Sequence, residues 1–268
     1  MTGRVSRTAL AIVAIVVVIG AGIFFGAYYL LERAKPFALG EHCKIKTSEG
    51  SLELDIEQSE IAATIAAVAT RRGLPERALQ IAYVTAIQES KLTNLPYGDR
   101  DSVGVFQQRP SQGWGTSKQL QDPVYATRKF FVALEKVHGY HKMPLHEAAQ
   151  EVQRSADGSA YAQHEPQARI LAGAFSGRVP KAVHCWYPPP EKPVTFRPQV
   201  ARKQLLRELG DDSAAGRSWQ IAAWYVAHAQ RYGLREVRYG DVVWTAEAGH
   251  DGWMASEEAP VTGKVRVL

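Results

Sequence analysis

The sequence predicts a mainly α-helical α+β fold with a single N-terminal transmembrane helix. Three observations support this fold class. A long apolar run opens the chain, apolar residues then recur at helical spacing, and short β-like runs follow near the end. The 268 residues are 46% hydrophobic, which is enough apolar material for one or two modest domains with cores of their own.

The apolar run extends from Thr8 to Leu31. At about 1.5 Å per residue, a helix of this length crosses a hydrocarbon core of about 30 Å. Arg4 and Arg7 precede the run, which favours a cytoplasmic N-terminus and an extracytoplasmic C-terminal bulk, in a single-pass protein of the cell membrane. A cleaved signal peptide is the alternative, although the run is longer than a usual signal core and lacks a clear cleavage site.

Helical spacing of apolar residues begins near Ile56 and ends at Gly73, and a second helix is expected from Pro75 to about Ser90. Residues 94–115 are rich in Gly, Asp, Ser and Pro, and they predict an irregular loop or a small hairpin. Further helices are expected to start near Asp122, Pro144 and Pro166. These helices and the loop form an α-rich domain.

A proline-rich stretch at residues 187–199 predicts a stiff, extended linker. Beyond it, helices are expected at 201–209 and 219–232, and strands at 236–239, 242–245 and 264–268. The predicted segments are therefore a cytoplasmic tail with the anchor, a connector, a helical domain, a linker and a small αβ module, at residues 1–35, 36–55, 56–186, 187–200 and 201–268.

The two cysteines suit an oxidising compartment. Cys43 follows the apolar run and Cys185 closes the helical domain, so one disulfide joining the ends of that domain is expected. Two buried free thiols are the alternative, because sequence alone does not show that the two residues lie close together.

The charge balance suits an anionic partner, and an ordinary solvated surface is the alternative. A net charge of +5 with a pI near 9.1 suits contact with anionic cell-wall polymers or lipid headgroups. Nucleic acid is disfavoured, because the sequence shows no Lys/Arg stripe with interleaved aromatic residues.

The most informative motif lies at the end of the second helix. Glu89 and Ser90 end this apolar helix, and Gly104-Val105-Phe106-Gln107 and Pro110 follow. Burial beside apolar side chains raises the pKa of a carboxyl, as a general acid for glycosidic cleavage requires. The motif resembles that of the lysozyme-like superfamily, in particular the soluble lytic transglycosylases, which carry Glu-Ser, a loop, Gly-Leu-Met-Gln, two residues and Pro.

The resemblance covers roughly residues 56–180 and implies a role for each motif residue. Glu89 is expected to be the catalytic acid, and Ser90 is expected to support its carboxyl by a hydrogen bond. Gly104, Phe106 and Gln107 are expected to line the sugar groove. For Glu89, a surface ion pair is the alternative, and for Gln107 a turn-stabilising role.

A second resemblance concerns Asp99. Gly98-Asp99-Arg100 matches a Gly-Asp-Arg of goose-type lysozymes, in which the carboxylate positions water, so Asp99 is a second catalytic candidate for inverting hydrolysis. An Asx turn is the alternative. A further Asp of goose-type enzymes is replaced here by Gln108 and Arg109.

The chain also departs from the transglycosylase pattern. That family carries a later Ala-Tyr-Asn-Ala-Gly whose Tyr contacts the catalytic Glu, whereas this chain has Val152-Gln153-Arg154-Ser155-Ala156. Gln153 can replace the Asn at the substrate, and nearby Tyr161 is the candidate for the missing Tyr. Trp114 is expected either to stack on a sugar ring or to belong to the core.

Other features do not predict a metal or a cofactor. His138, His141 and His146 share no regular helical face, so no metal site is expected. The C-terminal module loosely resembles a peptidoglycan peptidase-like domain of actinobacterial wall proteins. Because residues 265–267 lack a His-x-His zinc pair, a binding or docking role is expected there.

The resemblance implies an enzyme, a lytic transglycosylase or a muramidase, that cleaves the β-1,4 bond between N-acetylmuramic acid and N-acetylglucosamine in peptidoglycan. The implied partners are peptidoglycan glycan strands and the membrane, and proteins of wall synthesis are further candidates. The main alternative is a noncatalytic peptidoglycan-binding or scaffold protein that holds glycan in a lysozyme-like cleft. A metal-handling membrane protein is a weaker alternative, because it rests on the histidines and one span.

Overall fold

The chain opens with one long helix, α1 (Arg7–Leu39). Its segment Val13–Leu30 has a mean hydropathy of 2.3 and none of it is buried, so this helix is long and apolar enough to cross a membrane. The helix continues beyond Leu31, where the apolar run ends. Arg4, which bears on the expected orientation, lies outside the described residues.

The computed structural model describes residues 7–154, 159–187, 194–212 and 216–268. The chain forms two compact units, one up to Gly40 and the other from Glu41 to Leu268. The predicted mixed α+β class is confirmed. The predicted linker prolines 188–190 and 193, and residues 155 and 156 of the variant motif, lie outside the described residues.

Residues 36–55, expected to be a connector, contain a β-hairpin that opens the second unit. Its strands are β1 (His42–Thr47) and β2 (Gly50–Leu54), and β3 (Val183–Trp186) pairs with β1 in an antiparallel sheet of order β2-β1-β3. Cys43 lies opposite Cys185 in this register, and the two form a disulfide. The predicted bond is thereby confirmed, and it ties β1 to the end of the helical region.

Two buried helices follow the hairpin, α2 (Ile56–Arg71) and α3 (Glu76–Ser90). At the start of α2, the backbone N–H of Asp55 donates to the side-chain oxygen of Gln58 at 2.9 Å. The helices pack through apolar faces, and the Tyr83 hydroxyl of α3 donates to the Ala62 carbonyl of α2 at 2.8 Å. This packing fixes the direction in which α3 delivers its last turn.

Shorter helices complete the helical region. They are α4 (Ser117–Leu120), α5 (Pro123–Leu134), α6 (Leu145–Gln153), α7 (Ser159–Ala162) and α8 (Glu165–Phe175). A 3-10 turn, Pro110–Gln112, interrupts the loop before α4. The stretch between α3 and α4 is otherwise irregular, as its composition predicts.

The C-terminal part begins with α9 (Pro198–Leu209), α10 (Ser218–Ala227) and α11 (Ala229–Tyr232). An antiparallel sheet of order β6-β5-β4-β7 follows, formed by β4 (Glu236–Gly240), β5 (Val242–Thr245), β6 (Met254–Ala255) and β7 (Val261–Val267). The helix expected at 219–232 is therefore two helices, which meet at His228.

This C-terminal part shares one core with the helical region. Trp244 is fully buried and its indole N–H donates to the Cys185 carbonyl at 3.1 Å, while the indole of Trp253 donates to the Val183 carbonyl at 2.9 Å. Arg231 of α11 pairs with the buried Glu60 of α2. Since these contacts lie within one compact unit, residues 201–268 act as a structural extension of the helical region.

Candidate active site

Glu89 lies in the last turn of α3 and is partly buried. The helix ends directly after it, because Lys91 and Leu92 both adopt left-handed backbone conformations, with φ of 57° and 60°. The backbone N–H of Leu92 donates to the Ala86 carbonyl at 3.1 Å and closes this end. Glu89 therefore lies at a capped helix end and is partly exposed.

Tyr161 supplies the principal partner of Glu89. Its hydroxyl donates to Oε1 of Glu89 at 2.6 Å, and its side chain is only 2% exposed. Tyr161 is part of the short helix α7, which packs against α3. The structure therefore brings together the expected acid and the Tyr that the sequence offered in place of the missing motif residue.

Ser90 holds the loop to the helix. Its hydroxyl donates to the Val105 carbonyl at 2.7 Å, and only 5% of the residue is exposed. Ser90 was expected to donate a hydrogen bond to the carboxyl of Glu89. Its side chain instead points to the core and bonds the loop. Ser90 therefore positions the Gly104–Gln107 turn beside the end of α3.

Phe106 and Gln153 meet through a backbone atom. The Phe106 ring is fully buried and stacks on Phe130 with ring centroids 4.5 Å apart, so its side chain belongs to the core and not to a groove lining. Its carbonyl accepts from the Gln153 side-chain amide at 2.8 Å. This bond attaches the C-terminal end of α6 to the motif loop.

Gly104 is required by its surroundings. It has φ of +80°, and a Cβ added there would lie 2.4 Å from the Leu120 carbonyl oxygen. The close approach of two backbone segments therefore excludes any side chain, and Gly104 serves loop packing.

Gln107 stabilises the turn that it ends. It has a left-handed backbone with φ of 46°, and its side-chain amide donates to the carbonyls of Gly104 at 3.1 Å and of Tyr97 at 3.3 Å. The structure gives this side chain the turn-stabilising role that was the alternative to sugar binding. Both of these bonds use the side-chain nitrogen of Gln107.

The two acidic residues of the loop behave differently. The Asp99 side chain is 92% exposed, and Arg100 lies 3.9 Å from it. Asp101 instead accepts from Arg109 at 2.8 Å and from the backbone N–H of Ser111 at 2.7 Å, and these bonds hold the pKa of its carboxyl well below its usual range. Arg109 thus braces the loop through Asp101.

A cleft of about 660 Å³ has a separate lining, to which neither Glu89 nor Tyr161 contributes. It lies between the 3-10 turn, α5 and α6, and Trp114 and Gln153 are both part of its wall. Trp114 is partly exposed, so its ring is available to a ligand while it also packs against the core. Two of the expected substrate-binding residues therefore line one cavity.

Sequence reasoning did not identify His164. It is buried at the start of α8, its Nε2 lies 2.9 Å from the side-chain oxygen of Gln88, and burial lowers its pKa. Gln88 directly precedes Glu89, so this contact holds the last turn of α3 against α8. The sequence signal for His164 was its place between Tyr161 and the amphipathic helix α8.

The three histidines do not meet. His138 is exposed at the cleft, the His141 ring lies 3.8 Å from the Tyr140 ring and is tilted by 33° to it, and His146 lies 3.0 Å from Glu165. Within the described ranges, no cluster of three His, Cys, Asp or Glu side chains could hold a metal ion.

The chain was also compared with known proteins. No family model matches this sequence, and no curated protein matches it.

Proposed function

We propose that this protein is a membrane-anchored enzyme that cleaves the glycan strands of peptidoglycan, with Glu89 as the general acid. The observation that carries the proposal is the 2.6 Å hydrogen bond from Tyr161 to the carboxylate of Glu89, a partly exposed residue at the capped end of α3. A fixed donor leaves that carboxyl one defined orientation, which proton transfer to a bound glycan needs. The resemblance of the surrounding motif to lysozyme-like proteins supplies the substrate class.

The proposed reaction uses Glu89 twice. Its carboxyl gives a proton to the oxygen that bridges the two sugars, and the bond from that oxygen to C1 of the muramic residue breaks. The carboxylate then takes the proton from the C6 hydroxyl of the muramic residue. The C6 oxygen bonds to C1 of the same sugar at this step, and the product carries a 1,6-anhydro ring. Tyr161 holds the carboxylate in place through both steps.

The position of Asp99 favours this internal attack over inverting hydrolysis. An inverting enzyme needs a second carboxylate that activates water across the sugar ring. Asp99 is 92% exposed, and the nearby Asp101 is committed to Arg109 and Ser111. Internal attack requires only one carboxyl, which serves as acid and then as base, so neither Asp99 nor Asp101 is required.

The proposed location is the outer side of the cell membrane, with the N-terminus in the cytoplasm. The apolar helix α1 and the disulfide between Cys43 and Cys185 support it together. A disulfide persists in an oxidising compartment, and Arg7 at the start of α1 is consistent with a cytoplasmic N-terminus.

Product analysis tests the proposal. The detergent-solubilised full chain is incubated with purified peptidoglycan, and the released fragments are identified by mass. We expect fragments ending in anhydro-muramic acid, lighter by one water than hydrolysis products. Fragments with a reducing end would replace internal attack by hydrolysis, whereas retention of bound glycan with no release would support the noncatalytic scaffold.

A further inference from the structure

The cleft beside the motif carries an excess of positive charge. Lys129 and Lys136 contribute from one face of α5 and the turn after it, and Arg154 contributes from the end of α6. The carboxylate of Glu151 is the acidic side chain in this wall. Positions 129, 132, 133 and 136 recur at helical spacing, so they line the same side of the cavity.

These cations have little to neutralise them. Among the residues that the structure describes, no carboxylate lies within ion-pair distance of Lys129, Lys136 or Arg154, although Lys129 sits 5.9 Å from the centre of the Tyr125 ring. Unpaired cations along a concave wall raise the local concentration of anions. The charge is thus available to a ligand.

Apolar and aromatic side chains also line the wall, beside the polar Gln112 and His138. Trp114, Val137, Met143 and Val152 line the same cavity. An indole face suits the apolar side of a pyranose ring, and an ammonium group suits an acid carried by that ring. The cavity therefore combines the two kinds of contact that an acidic sugar needs.

We propose that this cleft binds the carboxylates of an acidic glycan strand, and that Lys129, Lys136 and Arg154 select charged strands over neutral ones. This inference rests on the proposed function, because Gln153 lines the cleft and bonds the Phe106 carbonyl of the motif loop beside Glu89. Carboxylates reach a peptidoglycan strand from two sources, the lactyl group of the muramic sugar and the peptide attached to it.

Binding measurements separate these sources. The full-length Glu89→Gln protein in detergent is titrated with four probes: strands with peptides, strands from which an amidase has removed them, the same strands with their carboxyls amidated, and neutral chitooligosaccharides. Tighter binding of either or both of the first two probes than of the amidated and neutral probes supports the proposal, and preference between those two names the carboxylate source. Equal binding of all four probes would overturn it.

Variants assign the effect to the cleft. The double variant Lys129→Met/Lys136→Met should weaken binding of acidic strands roughly 5- to 30-fold and leave neutral strands unaffected. The matched control Lys203→Met changes an exposed lysine on α9 and should bind like the parent. If the double variant binds acidic strands as tightly as this control, with an unchanged melting temperature, the cationic cleft is not the selecting element.

The same experiment is independent of catalysis. Because the titrations use a protein without the Glu89 carboxyl, charge selection by the cleft is measured whether or not the wild type cuts glycan. Selective binding without cleavage by wild type would support the assignment of the cleft and refute the enzymatic function. Cleavage by wild type with unselective binding would support the enzymatic function and refute the assignment of the cleft.

Discussion

The Tyr161 hydroxyl and the Glu89 carboxylate form a 2.6 Å hydrogen bond between α7 and the end of α3. The two residues are far apart in sequence, so the bond exists only because α7 packs against α3. It gives the carboxylate one defined orientation, and the chemistry proposed above depends on that orientation.

Replacing Tyr161 with Phe removes the donor and preserves the ring. A hydrogen bond to a charged group contributes about 1.5–3 kcal/mol, so we expect turnover to fall roughly 10- to 100-fold with little change in KM. Steady-state rates on soluble glycan fragments measure this. Tyr83→Phe is the control, because it also removes one buried hydroxyl bond, to Ala62, at a position that does not contact Glu89. Equal rate losses in both variants would assign Tyr161 a structural role alone.

The disulfide between Cys43 and Cys185 should stabilise the second unit substantially. It closes a loop with a sequence separation of 142, for which chain-entropy estimates give about 4–5 kcal/mol. We expect the Cys43→Ser/Cys185→Ser variant to melt at a clearly lower temperature and reductant to have the same effect on wild type. Mass analysis of unreduced peptides that recovers two free thiols would contradict the bond.

Glu208 should make stability depend on pH. It is buried on α9, accepts from the Trp224 indole at 2.6 Å and from Gln204 at 2.7 Å, and burial raises its pKa from 4.5 to about 7. A raised pKa stabilises the fold fully below pH 4.5, and this contribution is lost as the pH rises through about 7. The shift corresponds to a loss on the order of 3 kcal/mol.

Denaturant unfolding of wild type and Glu208→Gln at several pH values isolates this effect. The stability of wild type relative to the variant should decline from pH 4.5 to pH 7 and then level off. The difference in unfolding free energy between the two proteins cancels the contribution of other titrating groups. One such group is the buried His228, whose pKa is lowered by burial to about 3. A difference that does not change with pH would show that Glu208 does not titrate in this range.

The orientation in the membrane is also testable. A reporter fused after Leu268 should be active outside the cytoplasm, because Arg7 begins α1 and the disulfide lies beyond it. Activity of the reporter inside the cytoplasm would contradict both the location and the oxidising environment.

Local patterns predicted the longer helices well, but they did not predict every strand or helix break. The bounds of α2 and α3 follow from apolar spacing and from the Gly and Pro residues that flank them. Strand β3 was missed, since Val183–Trp186 is short and its partner β1 lies far away in sequence. The break at His228 was also missed, because it depends on a buried ring that contacts the Trp224 carbonyl at 2.9 Å.

The site shows the same division. The motif pointed to Glu89 and the loop, and the positions of the two cysteines predicted the bond between Cys43 and Cys185. The motif did not reveal that the side chains of Ser90, at the end of α3, and of Phe106, in the loop, point into the core. Their burial depends on contacts that form only on folding, the bond from Ser90 to the loop and the packing of Phe106 on α5. The cationic side of the cleft was likewise hidden, since α5 and α6 meet there only in the folded protein.

The most direct test of the central claim compares Glu89→Gln with Glu147→Gln, the same change at an exposed position on α6. Removing the proton that the leaving oxygen needs should lower turnover on peptidoglycan by about 10²–10⁴-fold, while Glu147→Gln remains as active as wild type. Both variants should melt like wild type and bind glycan equally. Release of glycan fragments by Glu89→Gln at the wild-type rate would contradict the account.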